Sequence, residues 1–277
     1  MGFSDEDLCV WLKEETLDLV RRMPLARRYS QHLMIDCRLG NLFAEVLSRL
    51  GVETAVELGA GPGLLTKFIS RVTKHLVAVE LDFKFLQLGS RVASEELNVE
   101  YLLGDGLKLL ERGVLRVDAV VSNTPYSITG PFIASIIKSN IPYALITLQR
   151  EVGERLVATP GSRKYGSITV LTKRYMKPEV VGYISPESFY PPPRVWSAVV
   201  LLRRHRDWVE GDELFEELLR CVFNQRRKKA FKVVNACVSK ISTTVPRCEE
   251  LRTLLGGKRV HQMSVEDFNN LVEAITK

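Results

Sequence analysis

Between residues 40 and 150 the chain alternates short apolar runs with helix-patterned stretches, and this alternation constrains the fold more than any other feature. Thr54–Leu58, Leu76–Glu80, Val99–Leu103, Ala119–Ser122 and Tyr143–Leu148 each read as a strand: short, β-branched or leucine-rich, and bounded by Gly, Asn, Asp or Pro. Leu64–Val72 and Phe83–Leu97 carry helical spacing between them. Alternation of this kind builds right-handed crossovers and a mostly parallel sheet. Strands apolar at nearly every position are expected where helices cover both faces.

The pattern changes after residue 165. Ser167–Tyr175, Glu179–Ile184 and Val195–Leu202 are predicted strands without long helices between them, an antiparallel extension of the same sheet. Ser185–Arg194 holds prolines at 186, 191, 192 and 193. Proline cannot donate to a sheet ladder, so this segment is predicted as an extended loop. From Asp212 onward the chain reads helical, with Leu214, Leu218, Leu219 and Val222 on one face and further helices over Arg247–Leu255 and Val265–Ile275. Ser264 with Asp267 three residues on resembles an N-terminal cap. These signals predict a helical arm over 1–28 (Asp5–Arg22, ending near Pro24), an α/β domain over 29–208 and a small all-helical domain over 209–277.

A chain of 277 residues buries a large core without staples. Its 45% apolar and 26% charged residues exclude a disordered protein. No apolar run approaches the roughly 18 residues that span a bilayer. The acidic start Met1–Asp7 does not resemble a secretory leader, so a cytoplasmic location is expected, with no membrane partner. The cysteines at 9, 37, 221, 237 and 248 are odd in number and without CxxC spacing, so neither a disulfide framework nor a zinc site is expected. The histidines at 32, 75, 205 and 261 pair with no other ligand type at helical spacing, and no metal is expected.

The net charge of +6 is clustered. Cys221–Lys240 holds Arg226, Arg227, Lys228, Lys229, Lys232 and Lys240 and no acid, and smaller clusters stand at Arg21-Arg22, Arg27-Arg28 and Arg203-Arg204. Concentrated positive charge suits a polyphosphate partner; a solvated helix face is the plainer reading.

Glu57-Leu58-Gly59-Ala60-Gly61-Pro62-Gly63 follows the first strand and leads into a helix. Glycines here permit a tight turn and close approach to a ligand. The next strand ends at Glu80, where a carboxylate can accept bonds from ribose hydroxyls, and the third is followed by Gly104-Asp105, which can accept from an adenine amine. Three such turns at one sheet edge fit an adenosine-containing cofactor. The proline inside the turn and the acid before it fit S-adenosylmethionine better than the dinucleotide pattern GxGxxG.

The fourth strand ends in Ser122-Asn123-Thr124-Pro125-Tyr126. The exocyclic amine of adenine is a poor nucleophile because its lone pair is delocalised into the ring. The Asn123 side-chain carbonyl and the Thr124 backbone carbonyl can accept its two protons and release that lone pair. Pro125 keeps the turn rigid, and Tyr126 can stack on an extruded base.

Together these motifs resemble the KsgA-type small-subunit rRNA adenine N6,N6-dimethyltransferase family. The resemblance runs from about Arg28 to Leu202, more weakly to Lys240. It rests on Ser30-Gln31-His32, the Glu57–Gly63 turn, Glu80-Leu81-Asp82, Gly104-Asp105, Asn123-Thr124-Pro125-Tyr126, Gln149-Arg150-Glu151-Val152, and Phe189–Val195 with Ser197-Ala198-Val199. It implies a Rossmann-like methyltransferase sheet and S-adenosyl-L-methionine as cofactor. His32 and Met34 would then frame the methionine end, with Gly59 beneath it and Gly61 in the same turn. Glu80 would take the ribose, Asp105 the cofactor adenine, and Asn123 both cofactor and target amine. Tyr126 and Phe189 would sandwich the target base. The run Phe223–Lys229 would serve as an Arg-rich RNA-binding helix through Arg226, Arg227, Lys228 and Lys229. The chain departs from the family pattern at Ser30 (usually Gly), Leu33-Met34 (usually Phe-Leu) and Thr124 (usually Leu or Ile).

The expected activity is dimethylation of adenosine N6 in small-subunit rRNA, on the rRNA or the immature small subunit, by a monomer. Two other readings stay open on the sequence. One is a large-subunit rRNA adenine methyltransferase, which shares the motif set; the other is a largely non-catalytic ribosome-assembly or transcription factor on the same fold. The Pro191–Pro193 loop with Ser197-Ala198-Val199 favours the small-subunit branch, and intact Glu80, Asp105 and Asn123 favour a working enzyme.

Overall fold

The computed structural model describes residues 5–22, 32–92, 96–241 and 248–276; Pro24, Arg27, Arg28, Ser30 and Gln31 lie outside them. The chain divides into two compact units, one of Met1–Gly153 with Glu179–Arg204, the other of Glu154–Pro178 with His205–Lys277.

The first unit carries the sheet. Its strands are β1 (Leu33–Met34), β2 (Thr54–Leu58), β3 (His75–Glu80), β4 (Val99–Leu103), β5 (Ala119–Ser122), β6 (Tyr143–Gln149), β7 (Met176–Ile184, within this unit from Glu179), β8 (Phe189–Tyr190) and β9 (Ser197–Arg204). Seven of them form one sheet in the order β4-β3-β2-β5-β6-β9-β7, and β1 pairs with β8 in a separate two-stranded ladder. The pairs β2–β3, β3–β4, β2–β5 and β5–β6 are parallel, and β6–β9 is antiparallel. The chain winds outward from β2 to β4, then returns to place β5 on the other side of β2. Such a reversal opens a crevice at the carboxyl ends of the strands. The central strands β5 and β6 are apolar and buried as expected; β4 is one edge, with Leu102 and Leu103 exposed.

Two helices set the position of β1. In α1 (Asp5–Arg22), Leu8, Leu12, Thr16 and Leu19 are buried on one stripe at helical spacing. The Thr16 hydroxyl lies 2.8 Å from the Leu12 carbonyl and 2.9 Å from the Met34 carbonyl. This ties the helix to β1. In α2 (Cys37–Leu50), Asp36 caps the first turn by accepting from the Arg38 amide.

Several expectations are corrected. Cys9 and Cys37 are disulfide-bonded, joining α1 to α2, and Cys221 pairs with Cys237 across the helices Glu213–Phe223 and Ala230–Ile241. An odd count without CxxC spacing excludes only local motifs; here helix packing chooses partners 28 and 16 residues apart. Ser167–Tyr175 is a helix and not a strand. Its β-branched residues look strand-like, but Thr169, Thr172 and Tyr175 are buried at steps of three, a helical stripe. Leu64–Val72 condenses to a helix over Thr66–Ile69 with tight turns on either side.

The second unit is helical. Tyr165 and Val170 share its core with Phe215, Leu218 and Phe268, so Glu154–Pro178 joins it in addition to the 209–277 assigned from sequence pattern. Arg174 and Asp212, both nearly fully buried, pair at 2.9 Å, and the Arg174 guanidinium lies 3.9 Å from the centre of the Phe215 ring. Ser264 and Asp267 form a reciprocal cap: the Ser264 amide donates to the Asp267 carboxylate at 2.8 Å, and the Asp267 amide donates to the Ser264 hydroxyl at 3.1 Å.

Candidate active site

The crevice at the strand reversal holds a cavity of about 380 Å³. Gly59–Gly61 after β2, Glu80–Asp82 after β3, Gly104–Leu107 after β4, Asn123–Tyr126 after β5 and His32–Met34 all line it. The sequence-predicted cofactor residues thus meet at one wall although they span nearly a hundred positions.

The turn after β2 is a cradle. The amides of Gly59 and Ala60 both donate to the Val79 carbonyl, at 2.9 and 3.0 Å, which holds the turn against β3. Gly59 and Gly61 sit at φ +73° and +58°, and a Cβ at either would meet no atom within 4 Å. Their bare backbone therefore faces open space in the cavity, at conformations that favour glycine.

Glu80 is almost buried. One carboxylate oxygen accepts from the Gly61 amide at 2.7 Å, the other from the Asp82 amide at 2.8 Å. Burial raises its pKa, against these backbone donors, which lower it. Each oxygen keeps a lone pair for a ligand hydroxyl. Asp105 caps the helix Gly106–Glu111 with one oxygen, accepting from Leu107 at 3.0 Å and Lys108 at 3.4 Å. Glu57 lies deeper and fully buried; it accepts from the Thr66 hydroxyl at 2.6 Å, and burial pushes its pKa up to about 8. It is neutral at pH 7 and presents a protonated acid to the cavity floor.

Beside the glycine turn, on the neighbouring parallel strand, stands the turn after β5. The Ser122 hydroxyl donates to the Leu58 carbonyl at 2.7 Å, locking the ends of β5 and β2 together. The Asn123 amide nitrogen donates to the His32 carbonyl at 3.3 Å. That bond fixes which end of the amide is which and leaves the side-chain carbonyl oxygen as the acceptor. His32 is itself held, because its Nδ1 lies 2.7 Å from the Pro191 carbonyl and a carbonyl can only accept. The His32 and Tyr126 rings lie 5.9 Å apart, and the Tyr126 hydroxyl is 2.6 Å from the Ser197 hydroxyl. Burial raises the Tyr126 pKa, so the phenol stays protonated. The Thr124 hydroxyl is buried in the wall without a hydrogen-bond partner.

These features fit S-adenosylmethionine. The bare Gly59–Gly61 backbone faces open space, Glu80 offers two carboxylate oxygens to hydroxyls, and the orphaned Thr124 hydroxyl offers a polar atom to a ligand. His32, Met34, Gly59, Gly61, Glu80, Asp105 and Asn123 are the residues that would hold it.

Not every predicted residue reaches the cavity. Phe189 does not line it; it is 2% exposed, packed in the core and paired across β1–β8 with Met34. Arg226, Arg227, Lys228 and Lys229 belong to the second unit and form the turn between two helices, not a helix face. Arg226 spends part of its guanidinium on the Arg163 and Tyr165 carbonyls, at 3.1 and 2.9 Å, while Arg227, Lys228 and Lys229 are exposed. Sequence reasoning used Ser197 only as part of a motif and not as a partner of Tyr126, because a contact across 71 residues leaves no local signal. Among the described residues no three His, Cys, Asp or Glu side chains group as metal ligands, and no helix is long and apolar enough to cross a membrane.

The profile of the ribosomal RNA adenine dimethylase family matches residues 25–277. A protein of Pyrobaculum islandicum named "Probable ribosomal RNA small subunit methyltransferase A" is 38% identical over 202 residues, covering 73% of this chain and 83% of that protein. A dimethyladenosine transferase from Plasmodium falciparum superposes with a TM-score of 0.71 at 22% identity, covering 84% of this chain and 94% of that one. The 23S rRNA methyltransferase ErmE superposes with a TM-score of 0.63 at 22% identity, covering 88% of this chain and 99% of that one. The fold is thus common to proteins named as a dimethyladenosine transferase and as a 23S rRNA methyltransferase.

Proposed function

Because the chain belongs to the ribosomal RNA adenine dimethylase family, and so transfers methyl groups from S-adenosylmethionine to adenines of ribosomal RNA, we propose that its target adenosines lie in the small-subunit rRNA. The name of the Pyrobaculum islandicum relative and the Pro191–Pro193 loop with Ser197-Ala198-Val199 support the small-subunit substrate. The substrate is the small-subunit rRNA or the immature small subunit, met in the cytoplasm by a single copy of the chain.

The observation that carries the chemistry is the bond from Asn123 to the His32 carbonyl. Bound S-adenosylmethionine supplies a methyl group on a positively charged sulfur. The fixed Asn123 carbonyl oxygen and the Thr124 backbone carbonyl accept hydrogen bonds from the two N–H groups of the adenine amine, and as the nitrogen takes the methyl that leaves the sulfur, one of those protons passes to solvent. The two hydrogen bonds withdraw the amine's lone pair from the ring, and rigid acceptors cost no reorganisation when charge develops. Tyr126, pinned through its hydroxyl, stacks on the extruded base. Phe189 acts indirectly, as a buried support beside Met34 on the paired strand. In the second unit Arg227, Lys228 and Lys229 bind the RNA backbone, and Arg226 braces the turn that presents them.

The test is transfer of labelled methyl groups to isolated small subunits, large subunits and free rRNAs lacking adenine dimethylation. Label confined to small-subunit rRNA is expected. Label confined to large-subunit rRNA overturns the substrate assignment.

A further inference from the structure

Of the four aromatic side chains exposed among the large apolar residues the structure describes, three fall within one stretch: Tyr183, Tyr190 and Trp196, at 45%, 40% and 46%. Tyr190 and Trp196 each adjoin a residue that touches the cavity wall, and Tyr183 is joined to Trp196 through Arg150. Trp196 precedes Ser197, which meets the Tyr126 hydroxyl, and its carbonyl accepts from the Arg150 amide at 2.8 Å. The Arg150 guanidinium lies 5.1 Å over the Tyr183 ring. Tyr190 pairs with Leu33 across β1–β8, and its neighbour Pro191 receives His32. Exposed aromatics are costly to leave in water, and Tyr190 and Trp196 adjoin the residues that hold His32 and Tyr126 at the cavity.

We propose that Tyr183, Tyr190 and Trp196 form a stacking platform for the unpaired nucleotides next to the target adenosine; this rests on the rRNA reading above. An adenine drawn into the cavity leaves its neighbours without a stacking partner on that side. Ring faces replace that partner whatever the base, and a guanidinium plane among them adds both stacking and charge. The prolines between Tyr190 and Arg194 hold the intervening backbone rigid, so the rings need little ordering on binding. A protein partner would be served equally by aliphatic side chains; three rings with an arginine laid on one of them favour nucleobases.

The test follows intrinsic fluorescence and transfer kinetics of the parent chain and of Trp196→Ala, Trp196→Phe and Tyr183→Ala. The probe is a single-stranded RNA of about twelve nucleotides, with a blunt duplex of the same sequence as control. The single strand quenches the parent, and Trp196→Ala loses that quench. Trp196→Ala and Tyr183→Ala each raise KM for rRNA about tenfold with cofactor affinity unchanged, and Trp196→Phe recovers most of the loss. Equal quenching by the duplex, or a parental KM in Trp196→Ala, overturns the platform. Self-association abolished by Trp196→Ala with rRNA KM unchanged assigns the patch to a second copy and likewise overturns it. Specific quenching in a parent that methylates no rRNA refutes the activity while the platform stands; methylation without quenching refutes the platform alone.

Discussion

Tyr126 and Ser197 share a hydroxyl–hydroxyl contact of 2.6 Å across the end of the sheet, one from the turn after β5 and the other the first residue of β9. The bond fixes the ring plane of Tyr126 at the cavity rim. Tyr126→Phe and Ser197→Ala each remove it and leave the other hydroxyl unsatisfied, so each lowers the methyl-transfer rate several-fold. Because both changes delete one interaction, the double variant is no slower than the worse single one. Single-turnover rates of the four proteins check this; additive losses contradict it.

Glu57 gives a pH signature. Its carboxyl keeps its proton in the folded chain up to about pH 8, whereas a free Glu ionises near about 4.3. Between these values the unfolded state gives up a proton that the folded state retains, so this group's contribution to stability is greatest below the lower value and is lost as pH rises through the upper one. Glu57→Gln copies the protonated form and still accepts from Thr66. The Tm difference, variant minus parent, is expected to grow from pH 5 to pH 8 and then level off. A difference independent of pH contradicts the assignment.

In the second unit the Arg174–Asp212 pair is buried and Arg206 adds a second cation at 3.2 Å. Asp212→Ala strands the Arg174 charge among apolar rings, which costs about 3–5 kcal/mol. Hydrogen exchange is expected to show loss of protection in the helices Ser167–Tyr175 and Glu213–Phe223, with β2, β5 and β6 unaffected.

Thr16 links a helix outside the family match to the cavity wall through the Met34 carbonyl. Thr16→Val keeps the shape and removes the bond, lowering stability by about 1 kcal/mol. Cofactor affinity, read by calorimetry, is expected to fall with it because β1 loses its tether, and Thr16→Ser is expected to restore both.

The features legible in the sequence are those written locally. The five parallel strands are legible because each is apolar and bounded by turn residues, and the Ser264–Asp267 cap because its signal spans four positions. Features set by distant partners were not legible. Ser167–Tyr175 reads as a strand until its stripe meets the core around Phe215 and Phe268, and the cysteine pairs are decided by helix packing. In the site, the turn sequences indicated which residues converge, but not that Phe189 is buried beside Met34 or that Ser197 pins Tyr126.

The most direct measurement is nucleoside mass spectrometry of small-subunit rRNA after reaction with S-adenosylmethionine and either the parent or Asn123→Ala. The parent is expected to yield N6,N6-dimethyladenosine. The variant, folded with a parental Tm, is expected to be slower by at least about a hundredfold, the scale of a lost preorganised group. Dimethyladenosine formed by Asn123→Ala at the parental rate would contradict the claim that a fixed amide oxygen activates the adenine amine.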